Sequence, residues 1–95
     1  MSNGLVSADA AAQQQAQQLY SYVTGDLPAS LRKLTSLANA LNGNNNFHGR
    51  YAQEYRSQAY PQIQKSTKQM ETDLQQMSQA LTKIVKGILA AGGNG

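Results

Sequence analysis

Residues 41–55 read LNGNNNFHGRYAQEY, and the arrangement of the whole chain turns on this stretch. Asn side chains compete for backbone hydrogen bonds, and Gly raises the entropy lost on ordering, so the run Asn42 to Asn46 holds a helix poorly. Phe47, the single Phe of the chain, follows at once with His48 and Gly49, and tyrosines stand at 51 and 55. Long apolar stripes at helical spacing lie on both sides. A turn between two such stripes makes an antiparallel helical hairpin.

Toward the N-terminus the apolar positions are Ala12, Ala16, Leu19/Tyr20, Val23, Leu27, Leu31, Leu34, Leu37/Ala38 and Leu41. Steps of three and four throughout mark one face of a long amphipathic helix. Ser7 is the expected N-cap, with Asp9 in the first turn, where negative charge suits the helix dipole. Residues 1–6 are expected to form a frayed tail. Toward the C-terminus the stripe is Tyr51, Tyr55, Ala59/Tyr60, Ile63, Thr67, Met70, Leu74, Met77, Leu81, Ile84/Val85 and Ile88. From Met70 the steps approach a heptad seam, in which Met70 and Met77 read as gap fillers. Lys83 and Lys86 suit the C-terminal end of the dipole, and Gly92-Gly93 is expected to end the element. The expectation is one all-α domain over 1–95: helix 1 about 8–42, turn 43–46, helix 2 about 47–90, with flexible ends. Asn45 or Asn46 would cap helix 2, placing Phe47 to Gly49 in its first turn.

Each helix carries a proline. Pro28 removes a bond to the carbonyl of Thr24 and presses against it. The apolar phase nevertheless continues from Val23 through Leu27 to Leu31, so a single kinked helix is expected rather than a broken pair. Pro61 interrupts helix 2 in the same way. The two prolines are equidistant from a turn centred between Asn44 and Asn45, which predicts that they face each other and that both helices bend at one level.

At 95 residues the chain is small, and such a chain usually needs a staple or a partner. Without cysteine there is no disulfide and no thiolate metal site, and one His with five scattered acids makes no convincing metal site, so no cofactor or metal is expected. The formal charge of +3 is dispersed along the chain, the pattern of a solvated face rather than a nucleic-acid patch. Residues 1–15, MSNGLVSADAAAQQQ, lack the features of a secretory signal peptide, and no apolar run is long enough to span a membrane. Flanking positions Tyr20, Ala38, Tyr60 and Val85 widen each stripe beyond a single seam. Two hairpins packed face to face would cover that width as a four-helix bundle, so a dimer is expected. Its core and dimer seam would be Leu19, Val23, Leu27, Leu31, Leu34, Ile63, Met70, Leu74, Met77 and Leu81.

In length, turn position and paired stripes, the chain resembles the WXG family, the small helical-hairpin substrates of type VII (ESX-like) secretion systems. Phe47-His48-Gly49 stands where that family has Trp-x-Gly, and Tyr55 falls where its members carry an aromatic. The resemblance covers about Ala8 to Ile88. It implies a non-enzymatic protein secreted without a cleaved signal peptide, cytoplasmic before export. Implied partners are itself or a related hairpin and the secretion ATPase, with the Phe47–Gly49 turn and Tyr55 contributing to recognition. Two departures stand out: Phe replaces Trp, and the family's C-terminal Tyr-x-x-x-Asp/Glu is absent, since Tyr60 is the last Tyr and Asp73 the last acid. The export signal would then come from a partner chain or another determinant. From the residues alone, Phe47 and Gly49 also read as a ring packed over a tight turn, and His48 as a solvent-facing side chain with no nucleophile or acid placed beside it. The alternative functions are a basic helical module on nucleic acid, or a membrane-surface segment in KIVKGILAAGG at 83–93.

Overall fold

The computed structural model describes residues 9–93. Among these the chain is helical from Ala10 except for one bend, and no strand is present. Helix α1 (Ala10–Ser21) passes through a wide π turn (Tyr22–Asp26) into α2 (Leu27–Asn42). After the bend, α3 (Arg50–Glu54) passes through a second π turn (Tyr55–Ala59) into α4 (Tyr60–Gly93). The result is two long helical arms, 10–42 and 50–93, running antiparallel. At the open end the Thr82 hydroxyl donates to Tyr20 Oη at 3.3 Å, and toward the closed end Tyr60 Oη donates to Asn39 Oδ1 at 2.6 Å. The all-α hairpin expected from the two stripes is the fold.

The ends of the arms differ from expectation. Asp9 is itself the N-cap, accepting the Ala12 N–H at 2.7 Å, rather than a first-turn residue. Ser7 and the expected tail 1–6 lie outside the described residues. The second arm starts at Arg50, not at 47, because Gly49 adopts φ 95° and ψ −168°, far from helical values. Phe47, His48 and Gly49 therefore belong to the bend, and neither Asn45 nor Asn46 caps the arm. At the far end α4 is helical through Gly93, the last of the described residues.

The two π turns have one physical cause. An α-helical turn would drive the proline ring into the carbonyl four residues back. Here the residue before each proline bonds one position further instead, Leu27 N–H to the Tyr22 carbonyl and Tyr60 N–H to the Tyr55 carbonyl. This widening accommodates the ring without ending the helix. Each turn also holds a hydroxyl at its third position. Thr24 donates to the Tyr20 carbonyl and Ser57 to the Gln53 carbonyl, both at 2.7 Å. The local pattern Tyr-x-Thr/Ser-x-x-x-Pro thus occurs once in each arm, at 22–28 and 55–61.

The prolines do not face each other. Pro28 lies level with Leu74 and Ser78, with which it lines a groove, whereas Tyr60, beside Pro61, meets Asn39. Along the first arm Pro28 and Asn39 are separated by roughly 16 Å at 1.5 Å per residue. The bend reaches Gly49, so its centre falls later than Asn44-Asn45 and each first-arm residue meets a later residue of the second arm.

The molecule measures 68 × 19 × 13 Å, so its thinnest dimension is close to one helix diameter. Its radius of gyration is 20.3 Å, against about 12 Å for a compact domain of this length. Such a single layer has little interior. Among the described residues Val23, Leu31, Ala38, Ala52, Val85 and Thr67 are buried, strung along the line between the arms. Ala38 and Val85, expected to flank the stripes, are therefore part of their centre.

Candidate functional site

Two surfaces stand out: the closed end and one broad side of the hairpin. At the closed end the chain leaves α2 through Gly43, whose N–H bonds the Asn39 carbonyl at 3.0 Å. Asn44 Oδ1 then accepts the Asn46 N–H at 2.8 Å, a side-chain turn of the kind that Asn and Asp make. Phe47 follows, half-buried, with its ring edge-on to Tyr55 at 5.9 Å between centroids. Tyr55 in turn tilts against Tyr60 at 5.9 Å and donates its hydroxyl to the Ala38 carbonyl at 2.6 Å. An aromatic column thus ties the bend to both arms. His48 is exposed, as are Arg50 and Tyr51, whose side chains pair with each other at 3.0 Å.

Arg56 organises this end, and the sequence reading did not single it out. Its Nε donates to the Asn42 carbonyl at 3.0 Å, Nη1 to Phe47 at 3.0 Å and Nη2 to Asn44 at 3.1 Å. One of these acceptors belongs to the last turn of α2, whose carbonyls have no helical partner. The guanidinium also lies 5.3 Å from the Phe47 ring centroid, within cation–π range. A planar five-donor fork meets the three carbonyls from three separate nitrogens, a spread that the single nitrogen of Lys does not have.

Gly49 has a backbone reason to be glycine. Its φ of 95° with ψ −168° lies in a region that side chains with a Cβ rarely adopt, although no atom would lie within 4 Å of an added Cβ. Gly49→Ala is therefore expected to lower the unfolding free energy by about 2 kcal/mol through backbone strain alone. Gly87, equally open but within α4, is the control, and Gly87→Ala is expected to raise stability by about 0.5–1 kcal/mol. Urea titrations followed by circular dichroism compare the two; effects of the same sign would remove backbone conformation as the cause.

The broad sides of the hairpin differ in chemistry. One carries Leu27, Leu34 and Leu41 in seven-residue steps on the first arm, and Met70, Met77 and Ile84 in the same steps on the second. Leu27, Leu34, Met70 and Met77 line a shared groove between the arms, with Leu31 and Leu74 at its floor. Five of the six ladder residues are exposed, Met70 at 43% and Met77 at 44% among them, and Leu37 beside Leu34 reaches 60%. The opposite side presents a mixed groove, in which Pro28, Leu31 and Leu74 are joined by Thr24, Thr35, Ser36, Gln75 and Ser78 and by two charged residues, Arg32 and Glu71. Of the expected seam, Val23 and Leu31 are buried, while Leu27, Ile63, Leu74 and Leu81 are half-buried; Leu19, Leu34, Met70 and Met77 are exposed. A hairpin offers each helix one line of contact, and these exposed residues fall beside it.

No described helix is long and apolar enough to cross a membrane, and among the described residues no group of His, Cys, Asp and Glu is arranged to hold a metal ion. Comparison with protein-family models, curated proteins and solved structures found no match to this chain.

Proposed function

We propose that this protein is a non-enzymatic helical hairpin that works paired with a second hairpin and is exported as a substrate or co-substrate of a type VII (ESX-like) secretion system. The observation that carries the reading is the apolar side left open on a hairpin one helix thick. A monomeric soluble protein rarely exposes a contiguous apolar patch of this kind, and such a patch marks a contact surface. Laying a second hairpin on it creates the missing second layer, a four-helix bundle. If the pair covers ~1,000 Å2 of apolar area at ~25 cal/mol per Å2, the gross gain is ~25 kcal/mol, enough to exceed an association cost of ~4–15 kcal/mol.

The closed end supports the rest of the reading through its Phe-x-Gly bend. Phe47 and Gly49 shape that end, and exposed His48, Arg50 and Tyr51 form the surface offered to the secretion ATPase. The export determinant then lies on the partner hairpin or at this tip. The test compares culture medium from the parent strain with that from a strain lacking the secretion ATPase, with a cytoplasmic marker to exclude lysis. The protein is expected to vanish from the medium and accumulate in cells; undiminished release overturns export by this route.

A further inference from the structure

We propose that the apolar side selects a partner hairpin presenting a lysine or arginine opposite Asp73, and so discriminates against a second copy of this chain. The inference rests on the pairing proposed above and names the chemistry of the partner. The groove bounded by Leu27, Leu34, Met70 and Met77 contains a single charged residue, Asp73, with Ser30 as its other polar member. In the free hairpin Asp73 is exposed, and its one hydrogen bond comes from Gln69 Nε2 at 3.0 Å. Covering the groove takes that carboxylate out of water. An ion moved from water into an apolar contact loses several kcal/mol of hydration unless an opposite charge or several donors meet it.

A second copy brings no such group. If it lies antiparallel, α4 covers α4, and Asp73, near mid-length of the ladder from Leu41 to Ile84, approaches the second copy's Asp73. If it lies parallel, α2 covers α4, and the second copy's Ser30 comes nearest, a neutral hydroxyl. No Lys, Arg or His lines the groove in either case. Of the eight Lys and Arg residues, Arg32 lines the opposite groove, and Lys33, about 60° round the helix from Ser30, is exposed outside this one. An acid alone on the apolar side of a basic chain is a selection device: it rewards a cation-bearing partner and penalises self-pairing.

Sedimentation velocity over about 1–100 μM tests this with variants of the full chain, each checked for helicity by circular dichroism. The wild type is expected to self-associate weakly, and Asp73→Asn to self-associate at least about tenfold more tightly. A cation is supplied in two probe arms: wild type mixed with the Asp73→Lys chain, which suits antiparallel pairing, and the Ser30→Lys chain alone, which suits parallel pairing. One of the two is expected to associate more tightly than wild type, with an advantage that shrinks as salt rises. Self-association of the wild type as tight as that of Asp73→Asn overturns the selection by Asp73 while leaving pairing intact. If every chain and mixture stays monomeric at about 100 μM with full helicity, pairing through this side fails, and the inference falls with it.

Discussion

Leu31→Ala is expected to lower the unfolding free energy by about 3 kcal/mol, while Met77→Ala in the same lone hairpin costs below about 1 kcal/mol. Leu31 and Leu74 are shared by both grooves, and Leu31, the more buried at 8% exposed, fills the space between α2 and α4 at that level. Truncation joins the two grooves, so α2 loses its contact over about a turn. Buried Leu→Ala changes span about 2–5 kcal/mol; the lower half of that range applies because both grooves open to water, which fills the gap. Met77 already stands in solvent and has little to lose until a partner covers it. Chemical denaturation followed by circular dichroism reads both values. A cost below about 1 kcal/mol for Leu31→Ala would mean that the arms are held by the closed end rather than by their central line.

The thin core explains why this one residue matters. A domain of this length is stable by roughly 5–14 kcal/mol at the usual value per residue, and a hairpin one layer thick belongs near the bottom. A 3 kcal/mol loss then removes much of its stability. Pairing would restore part of it, because the ladder from Leu27 to Leu41 gains contacts that the lone hairpin lacks.

The hairpin was legible in the sequence because two stripes at helical spacing flank a run of Asn and Gly, and that logic is local. The π turns left a signal that went unread. Leu19, Val23, Leu27 and Leu31 follow in consecutive steps of four, as do Tyr51, Tyr55, Ala59, Ile63 and Thr67. In an α-helix each step of four drifts by about 40°, so such a run leaves its face unless a wider turn absorbs the excess. The unbroken phase across Pro28 was therefore a sign of the π turn as much as of helix continuity. The height of the prolines was not legible, because it depends on where the bend ends, and that is set by the backbone of Gly49. The divided stripe was half legible: the heptad steps of Met70, Met77 and Ile84 were visible, but only the packed arms show that the other helix leaves that ladder exposed. Arg56 was one of eight dispersed cations, and no pattern of spacing announces that three carbonyls converge on it.

Arg56→Ala is expected to cost about 3–4 kcal/mol, with Arg56→Lys recovering only a minor part. Hydrogen bonds to a charged group contribute about 1.5–3 kcal/mol each, and the three here share one side chain, so their sum is reduced by solvent and by common loss of the loop. Without the fork, the carbonyls of Asn42, Asn44 and Phe47 lose their donor together, and the Phe47 ring loses one of the two groups against it. The three donors of the Lys ammonium radiate from one nitrogen and lack the planar spread that reaches three separated carbonyls. The change is local, which separates it from Leu31→Ala. Limited proteolysis within 43–49 is expected to accelerate in Arg56→Ala before the arms unfold, while the contact of Tyr20 with Thr82 at the open end is retained. Hydrogen exchange resolves the two regions: protection should fall around the bend and in α3 but persist through the middle of α4. Equal loss of protection at both ends would show that the bend and the arms unfold as one unit, and that the clamp at Arg56 holds the whole hairpin rather than its tip.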